Sequence, residues 1–246
     1  MFSEVRPNVF WIHPPSGGEV YVVRTEPGLV LIDSGSPGHR EAVLEDMQQA
    51  DLDPRDIRLA FITHAHCDHV GEMGWWREEF GFPVVAHSLA AGPIEKADPV
   101  ITAAEIPFTQ HSEEFVPCPI AHPVGGGEHF SSGERTFLTI HAPGHTIGSL
   151  HILSGEELFV GDTLFESGGI GWFDVHWGSN PEDYIETLDR MREHVGRLVL
   201  PGHGAPYLLE ESQIDTARRA AEFYIPPEHG LGTPRVPSAY PKGGPA

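Results

Sequence analysis

One short segment constrains this chain of 246 residues more than any other, because it places four metal-ligand side chains within six positions: Thr63-His64-Ala65-His66-Cys67-Asp68-His69-Val70-Gly71. The segment follows an apolar run, residues 59–62, that is typical of a buried strand. Imidazole and carboxylate groups suit zinc, iron or manganese better than calcium. Six residues are too few to enclose one tetrahedral ion with all four groups. We therefore expect two ions and a fold that brings further ligands to the end of this strand.

Three later segments share one pattern, a ligand-type residue that follows an apolar strand and is flanked by glycine. They are Pro143-Gly144-His145-Thr146, Gly161-Asp162-Thr163 and Gly202-His203-Gly204. A glycine beside a ligand lets the backbone turn sharply and bring the side chain to a shared point. The complete set then divides between two ions: His64, His66 and His145 at one ion, Asp68, His69 and His203 at the other, with Asp162 bridging them.

Hydrophobic periodicity predicts strands that alternate in blocks with helices. The predicted strands cover residues 20–24, 29–33, 58–63, 83–86, 136–141, 149–153, 157–160 and 198–200. The predicted helices cover residues 40–50, 71–80, 181–194 and 208–224, the third of them introduced by Asn180-Pro181 as a cap and first helical residue. This order predicts an α/β layered architecture. Residues 93–130 show little periodicity, and we expect them to form an irregular excursion outside the core.

Composition limits the possible partners and the location. The net charge of −21 disfavours nucleic acid and anionic membrane surfaces, which both require basic patches. The first residues lack the features of a signal peptide, so a cytoplasmic location is expected. The two cysteines, Cys67 and Cys118, are too few for a disulfide framework. We expect one domain over residues 1–225 and a tail rich in proline and glycine over residues 226–246.

The histidine-rich segment and the three glycine-flanked segments resemble, in the same order, the motifs of the metallo-β-lactamase-fold hydrolases. Leu31-Ile32-Asp33-Ser34-Gly35 is similar to an early turn of that family. The resemblance spans roughly residues 8 to 207. It implies a four-layer αβ/βα sandwich of two mixed sheets with a dinuclear site at one edge. It also implies that Asp33 orients the ligand loop by hydrogen bonding and is not itself a ligand.

The resemblance implies hydrolysis of an ester, thioester or lactone carbonyl by a hydroxide that bridges two divalent ions, with zinc expected first and iron or manganese as alternatives. Asp68 would be both a ligand and the residue that shuttles a proton. The expected partner is a small-molecule substrate. A homodimer is left open.

Departures from the branches of that family leave the substrate open. Glutathione thioesterases carry a cation in the segment that reads Gly169-Ile170-Gly171-Trp172 here, and signal lactonases carry a tyrosine where this chain has Phe165. The aromatic stretch after Asp162 predicts either a substrate-pocket wall or the packing of a long loop. The candidate pocket residues are Phe165, Trp172, Phe173, His176 and Trp177.

Three alternative functions accompany the hydrolase interpretation. The first is an oxidoreductase of the persulfide-dioxygenase kind, which uses one iron on the same fold. The second is a β-lactam hydrolase, although members of that class usually lack an aspartate at the position of Asp162. The third is a non-catalytic binding relative, although such relatives usually lose ligands that this chain retains.

Overall fold

A computed structural model describes residues 1–105, 115–173 and 178–225. Thirteen strands are present among them: β1 (Phe2–Arg6), β2 (Val9–Ile12), β3 (Val20–Thr25), β4 (Gly28–Ile32), β5 (Ile57–Phe61), β6 (Val84–His87), β7 (His122–Val124), β8 (His129–Ser132), β9 (Arg135–His141), β10 (Leu150–Ser154), β11 (Glu157–Gly161), β12 (Leu198–Pro201) and β13 (Tyr207–Leu208). The α-helices in the same ranges are α1 (Arg40–Gln49), α2 (Cys67–Val70), α3 (Met73–Phe80), α4 (Ser88–Lys96), α5 (Pro181–Met191) and α6 (Glu211–Glu222).

The strands form two mixed sheets that follow the order of the chain. The first sheet has seven strands in the order β1 to β7, antiparallel from β1 to β4 and parallel from β4 to β7. The second sheet has six strands in the order β13-β12-β11-β10-β9-β8, with β11 and β12 as its parallel pair. Parallel strands require crossover connections, and helices provide most of them here.

Three apolar clusters show that the sheets and helices form four layers. One cluster packs the outer face of the first sheet against the early helices and includes Val22, Met47 and Trp76. A second fills the space between the two sheets and includes Phe61, Phe137 and Phe159. The third packs the second sheet against α5 and α6. Because both faces of each sheet are covered, strands such as β3 and β11 are nearly continuous apolar runs. The predicted αβ/βα sandwich is confirmed.

Most element predictions are confirmed, including the hairpin of β3 and β4 and the side-chain cap that Asn180 provides for α5. The prediction for residues 93–130 is wrong in part. Helix α4 continues to Lys96, β7 lies within the range, β8 begins at its end, and Ile94 and Cys118 are fully buried. Short elements with few side chains facing the core leave little hydrophobic periodicity, so the sequence pattern of this segment does not indicate them. The last helix begins at Glu211 and not at residue 208, since residues 207–208 pair with β12.

The tail over residues 226–246 and part of the 93–130 range lie outside the described residues. Among the described helices, none has the length and apolar character needed to cross a membrane.

Candidate metal centre

The histidine-rich segment leaves β5 as a tight loop that continues into the short helix α2. Asp33, at the end of the neighbouring strand β4, anchors this loop. Its carboxylate accepts hydrogen bonds from the Thr63 amide at 2.8 Å and the Thr63 hydroxyl at 2.6 Å, and it lies 3.2 Å from Nδ1 of His69. Asp33 is itself buried, and its φ of 57° is one that aspartate tolerates better than most residues. Asp33 therefore ties the end of β4 to the ligand loop, and its orienting role stays a prediction.

Three groups of ligand-type side chains lie close enough to hold metal ions. They are His64 with His66 and His145, His64 with His69 and Asp162, and Asp68 with His69 and His203; within each group the ligand atoms lie within 4.8 Å of one another. The groups share members and therefore form one continuous cluster. All seven side chains that the sequence nominated as ligands are brought together by the fold.

The later ligands come from turns at one end of the second sheet. His145 follows β9, Asp162 follows β11 directly, and His203 follows β12. Gly161 has a φ of +52°, and a Cβ there would lie 2.7 Å from the hydroxyl of Thr63. A Cβ on Gly202 would overlap Oδ1 of Asp162 and would lie 2.7 Å from Cε1 of His69. These two glycines allow the turns of the second sheet to approach the ligand loop of the first.

Asp162 stands between the two sides of the cluster. Its Oδ1 lies 3.3 Å from Nε2 of His69, and its Oδ2 lies 3.7 Å from Nε2 of His145 and 3.4 Å from Nε2 of His203. One carboxylate therefore faces imidazoles that belong to both outer groups. This is the arrangement that a bridging ligand requires.

The spacing of the nitrogen atoms in the cluster fits divalent metal ions. His145 Nε2 lies 3.0 Å from His66 Nδ1, and His69 Nε2 lies 3.3 Å from His203 Nε2. Ligands about 2.0 Å from a tetrahedral zinc ion are themselves roughly 3.3 Å apart. In addition, Nε2 of His64 is buried and has no hydrogen-bond partner, which is costly unless a ligand completes it. The donor set, five imidazoles and two carboxylates, suits zinc, iron or manganese.

The electrostatics divide the histidines in two. Burial, reinforced by neighbouring imidazoles, lowers the pKa of His64 well below 6.5 and that of His66 to about 3. These rings are therefore neutral, the form that binds metal. Burial also opposes the charged form of His203, but the carboxylates of Asp162 and Asp68 together outweigh it and raise that pKa to about 10. The carboxylates on this side thus favour positive charge between them, which a divalent cation would supply.

The candidate pocket residues lie at different distances from this cluster. The ring of Phe165 meets the ring of His203 edge-on, with centroids 5.9 Å apart. The carbonyl of Trp172 lies 3.0 Å from Nδ1 of His145, while its side chain is 61% exposed. Phe173 stacks on Tyr224, with centroids 4.4 Å apart. His176 and Trp177 lie outside the described residues. The pocket assignment stays a prediction.

Two residues that support the cluster were not found from the sequence. Tyr184 of α5 has its hydroxyl 2.8 Å from the carbonyl oxygen of Asp162. Glu19, at the loop before β3, accepts a hydrogen bond from the amide of Gly204 at 3.0 Å. Neither residue follows a strand in the pattern shared by the ligands. The only sequence signal for Glu19 is an acidic residue directly before the apolar stretch that forms β3.

A dense cluster of histidine and aspartate at one edge of an αβ/βα sandwich defines a class of metal-dependent hydrolases. The chain belongs to that class: it is a member of the metallo-beta-lactamase superfamily, whose family model matches residues 13–203. The predicted resemblance is therefore confirmed, and the protein is a metal-dependent hydrolase of this superfamily.

Relatives agree with this membership. A probable metallo-hydrolase, YqgX of Bacillus subtilis, is 29% identical over 79% of this chain and 90% of its own length. The acyl-coenzyme A thioesterase MBLAC2 of Gallus gallus is 29% identical over 79% of this chain and 77% of its own. Among solved structures, TTHA1623 in a di-iron-bound form is 28% identical, with a TM-score of 0.65, over 85% of this chain and 97% of that one.

Proposed function

We propose that the protein is a dinuclear metal hydrolase that cleaves acyl thioesters or esters with an apolar acyl group. The observation that carries the dinuclear part is the position of Asp162, whose two oxygens face imidazoles of both outer ligand groups. The di-iron form of a similar protein supports it. His64, His66 and His145 would hold one ion, Asp68, His69 and His203 the other, and Asp162 would contact both.

When bound, two divalent ions would supply a water of lowered pKa and an electrophilic contact for the substrate carbonyl. The residues of the chain would do the rest. Asp68 is about one-third exposed, and its Oδ2 lies 3.3 Å from Nε2 of His203. It is therefore the carboxylate of the cluster with access to substrate, and we assign it the transfer of a proton to the leaving group. Asp33 and Thr63 would hold the ligand loop in place.

The apolar acyl group is inferred from the aromatic side chains next to the cluster. The Trp172 carbonyl is bonded to His145 and its indole is 61% exposed, so we assign this indole to the wall of the substrate site. Phe165 covers the His203 side. The relative named as an acyl-coenzyme A thioesterase supports a thioester substrate. An acyl chain in contact with these rings would contribute about 0.8 kcal/mol for each buried methylene, or roughly fourfold in kcat/KM.

Metal analysis and a substrate screen test the proposal together. The protein loaded with Zn²⁺ is expected to hold two ions and to hydrolyse acyl thioesters or aryl esters in preference to lactones, β-lactams and phosphoesters. Asp68→Ala is expected to lose turnover while retaining the ion of the His64 group. One iron per chain with oxygen-dependent turnover would instead identify an oxidoreductase, and β-lactams as the best substrates would contradict the thioester assignment.

A series of acyl thioesters of increasing chain length tests the apolar site. We expect kcat/KM to rise with chain length in the wild-type protein and to rise less steeply in Trp172→Ala. Leu208→Ala is the matched control, because Leu208 is 55% exposed but pairs with Leu198, at the end of β12 away from His203. An unchanged slope in Trp172→Ala would remove this residue from the substrate site.

A further inference from the structure

Glu19 is a buried acid whose position the metal ligands do not explain. It lies immediately before β3 and is 1% exposed. Burying a carboxylate costs several kcal/mol of hydration free energy, and a well-packed apolar residue in its place is often at least as stable. A residue that is costly for stability calls for a role that an apolar side chain could not perform.

The carboxylate of Glu19 links three separate segments. It accepts a hydrogen bond from the indole of Trp11 at 2.8 Å and lies 2.9 Å from Nδ1 of His13. It also accepts the amide of Gly204 at 3.0 Å, across the gap between the two sheets. The first two partners belong to the first sheet and its adjoining loop, and the third follows β12 of the second sheet.

The backbone of Glu19 makes a second bond to the same loop of the second sheet. The Glu19 amide donates to the carbonyl of Gly202 at 2.8 Å. Glu19 therefore bonds the residue before His203 and the residue after it. Gly204 has a φ of +84°, so its amide direction is set by a turn that disfavours other residues. Together these two bonds fix both ends of the one-residue step that carries the His203 imidazole.

The neighbouring residue, Gly18, contacts the segment that carries Asp68 and His69. The Gly18 amide donates to the carbonyl of Asp68 at 2.9 Å, and a Cβ on Gly18 would lie 2.6 Å from Cε1 of His69. Residues 18–19 thus contact the segments that carry Asp68, His69 and His203, which are all the members of one outer ligand group.

From these contacts we infer that Glu19 is a positioning residue for His203 and controls the affinity of the ion held by Asp68, His69 and His203. It does so without touching that ion. His203 needs such support because its side chain is 36% exposed, whereas His64 and His69 are almost fully buried. The inference rests on the proposed dinuclear site. Loss of an outer hydrogen-bond partner of a ligand typically costs 10–100-fold in metal affinity.

The test is a chelator competition that measures both Zn²⁺ dissociation constants in the full-length protein. In Glu19→Gln the Zn²⁺ dissociation constant of the group formed by Asp68, His69 and His203 is expected to rise by about 10–100-fold, while the constant of the His64 group changes less than about threefold. Glu19→Asp keeps the buried charge but withdraws the carboxylate from Gly204, and we expect the same selective loss. A general structural defect would weaken both ions together, which would overturn the inference.

Two variants serve as controls. Glu157→Gln removes another buried acid, paired with Arg135, at the end of β11 far from Asp162, about 16 Å away along the chain. His13→Ala removes one partner of Glu19 but leaves its contact with Gly204. Both should keep the two Zn²⁺ constants within about threefold of wild type. An equal loss of Zn²⁺ affinity at the group of Asp68, His69 and His203 in either control would overturn the role of Glu19.

The outcomes separate this inference from the proposed function. If the wild-type protein binds one Zn²⁺, the dinuclear proposal fails and the inference fails with it. If the wild type binds two ions and both Glu19 variants bind them with unchanged constants, only the inference fails. If both variants fail to fold under conditions where Glu157→Gln folds, Glu19 is a stability residue and the inference is overturned.

Discussion

At the scale of single residues, the ligand cluster depends on glycines, which have no side chain, as much as on the ligand side chains themselves. Gly18, Gly161 and Gly202 lie where loops of the two sheets meet, and a Cβ on any of them would contact a ligand or a residue of the ligand loop. The approach of the two sheets at this edge is therefore limited by glycine. A larger side chain at one of these glycines should weaken metal binding more than it destabilises the fold.

Gly202→Ala tests this dependence. The new Cβ would overlap Oδ1 of Asp162 and crowd His69, so we expect Zn²⁺ affinity to fall by at least about tenfold. Gly92→Ala is the control, because a Cβ on Gly92 meets no atom within 4 Å. In the interior of α4, alanine stabilises the helix by up to about 1 kcal/mol relative to glycine. Chelator competition and thermal unfolding measure the two effects. Equal metal affinity in both variants would contradict the argument.

His151 predicts a specific acid sensitivity of the fold. Burial, helped by the charges of His194 and Arg190, lowers its pKa from 6.5 to about 3. Below pH 6.5 the unfolded chain binds a proton that the folded chain does not, so stability falls as the pH drops from about 6.5 towards 3 and is unaffected above that range. Between these pH values the free energy of unfolding should change with pH less steeply in His151→Gln than in the wild type. The difference in slope should be about 1.4 kcal/mol per pH unit.

Chemical denaturation at several pH values measures this difference between wild type and variant. The comparison isolates one residue, because other buried histidines remain in both proteins. Parallel curves for the two proteins between pH 4 and 6 would show that His151 does not titrate in this way.

At the scale of elements, α5 is the support on which the ligand turns of the second sheet rest. Thr187 donates to the carbonyl of Pro143 at 2.7 Å, and the Asn180 amide donates to the carbonyl of Gly144 at 2.9 Å. The hydroxyl of Tyr184 reaches the carbonyl of Asp162. The amphipathic face that buries α5 in the third cluster therefore also orients His145 and Asp162 through their backbones.

Tyr184→Phe separates these two functions of the helix. Removing the hydroxyl takes one donor from the buried Asp162 carbonyl, which keeps the amide of Gly171 at 2.9 Å, so we expect a loss of about 0.5–1.5 kcal/mol in the free energy of unfolding and weaker Zn²⁺ binding. Asn180→Ala is the matched control: it removes the cap of α5, at a cost of about 1 kcal/mol, but no contact with Asp162. Equal Zn²⁺ affinity in the two variants would show that Tyr184 serves stability alone.

At the scale of the whole molecule, the candidate metal centre lies where the two sheets meet, and its candidate ligands come from both. His64, His66, Asp68 and His69 belong to the half that contains the first sheet; His145, Asp162 and His203 belong to the half that contains the second. Bound ions would therefore join the halves across the central cluster. Metal binding and stability should be linked in this protein.

Removal of the metal tests that link. At a free Zn²⁺ concentration of about 100 times the dissociation constant, binding stabilises the folded state by about 2.7 kcal/mol. For a chain of this size this corresponds to a rise in Tm of roughly 5–11 °C. Calorimetry with and without chelator measures it. The same Tm under both conditions would mean that the ions do not hold the halves together.

Much of the protein could be predicted from local sequence, for identifiable reasons. The histidine-rich loop and the glycine-flanked ligands are visible because each combines an apolar strand with a turn and a ligand-type side chain. The start of α5 is visible because Asn180 and Pro181 satisfy the chemistry of a helix terminus. Residues 93–130 could not be predicted, since their short elements are ordered mainly by the neighbours they pack against.

The sequence by itself nominated the candidate ligands and determined the layered fold with many of its strands and helices, because these follow from side-chain chemistry and hydrophobic period along the chain. Only the tertiary structure decided how the ligands meet: Asp162 between two groups of imidazoles, Glu19 bonded on both sides of His203, and Tyr184 beneath the Asp162 carbonyl. Each of these contacts joins residues at least 17 positions apart in the sequence. Their geometry depends on the packing of two sheets, and no local pattern in the chain records it.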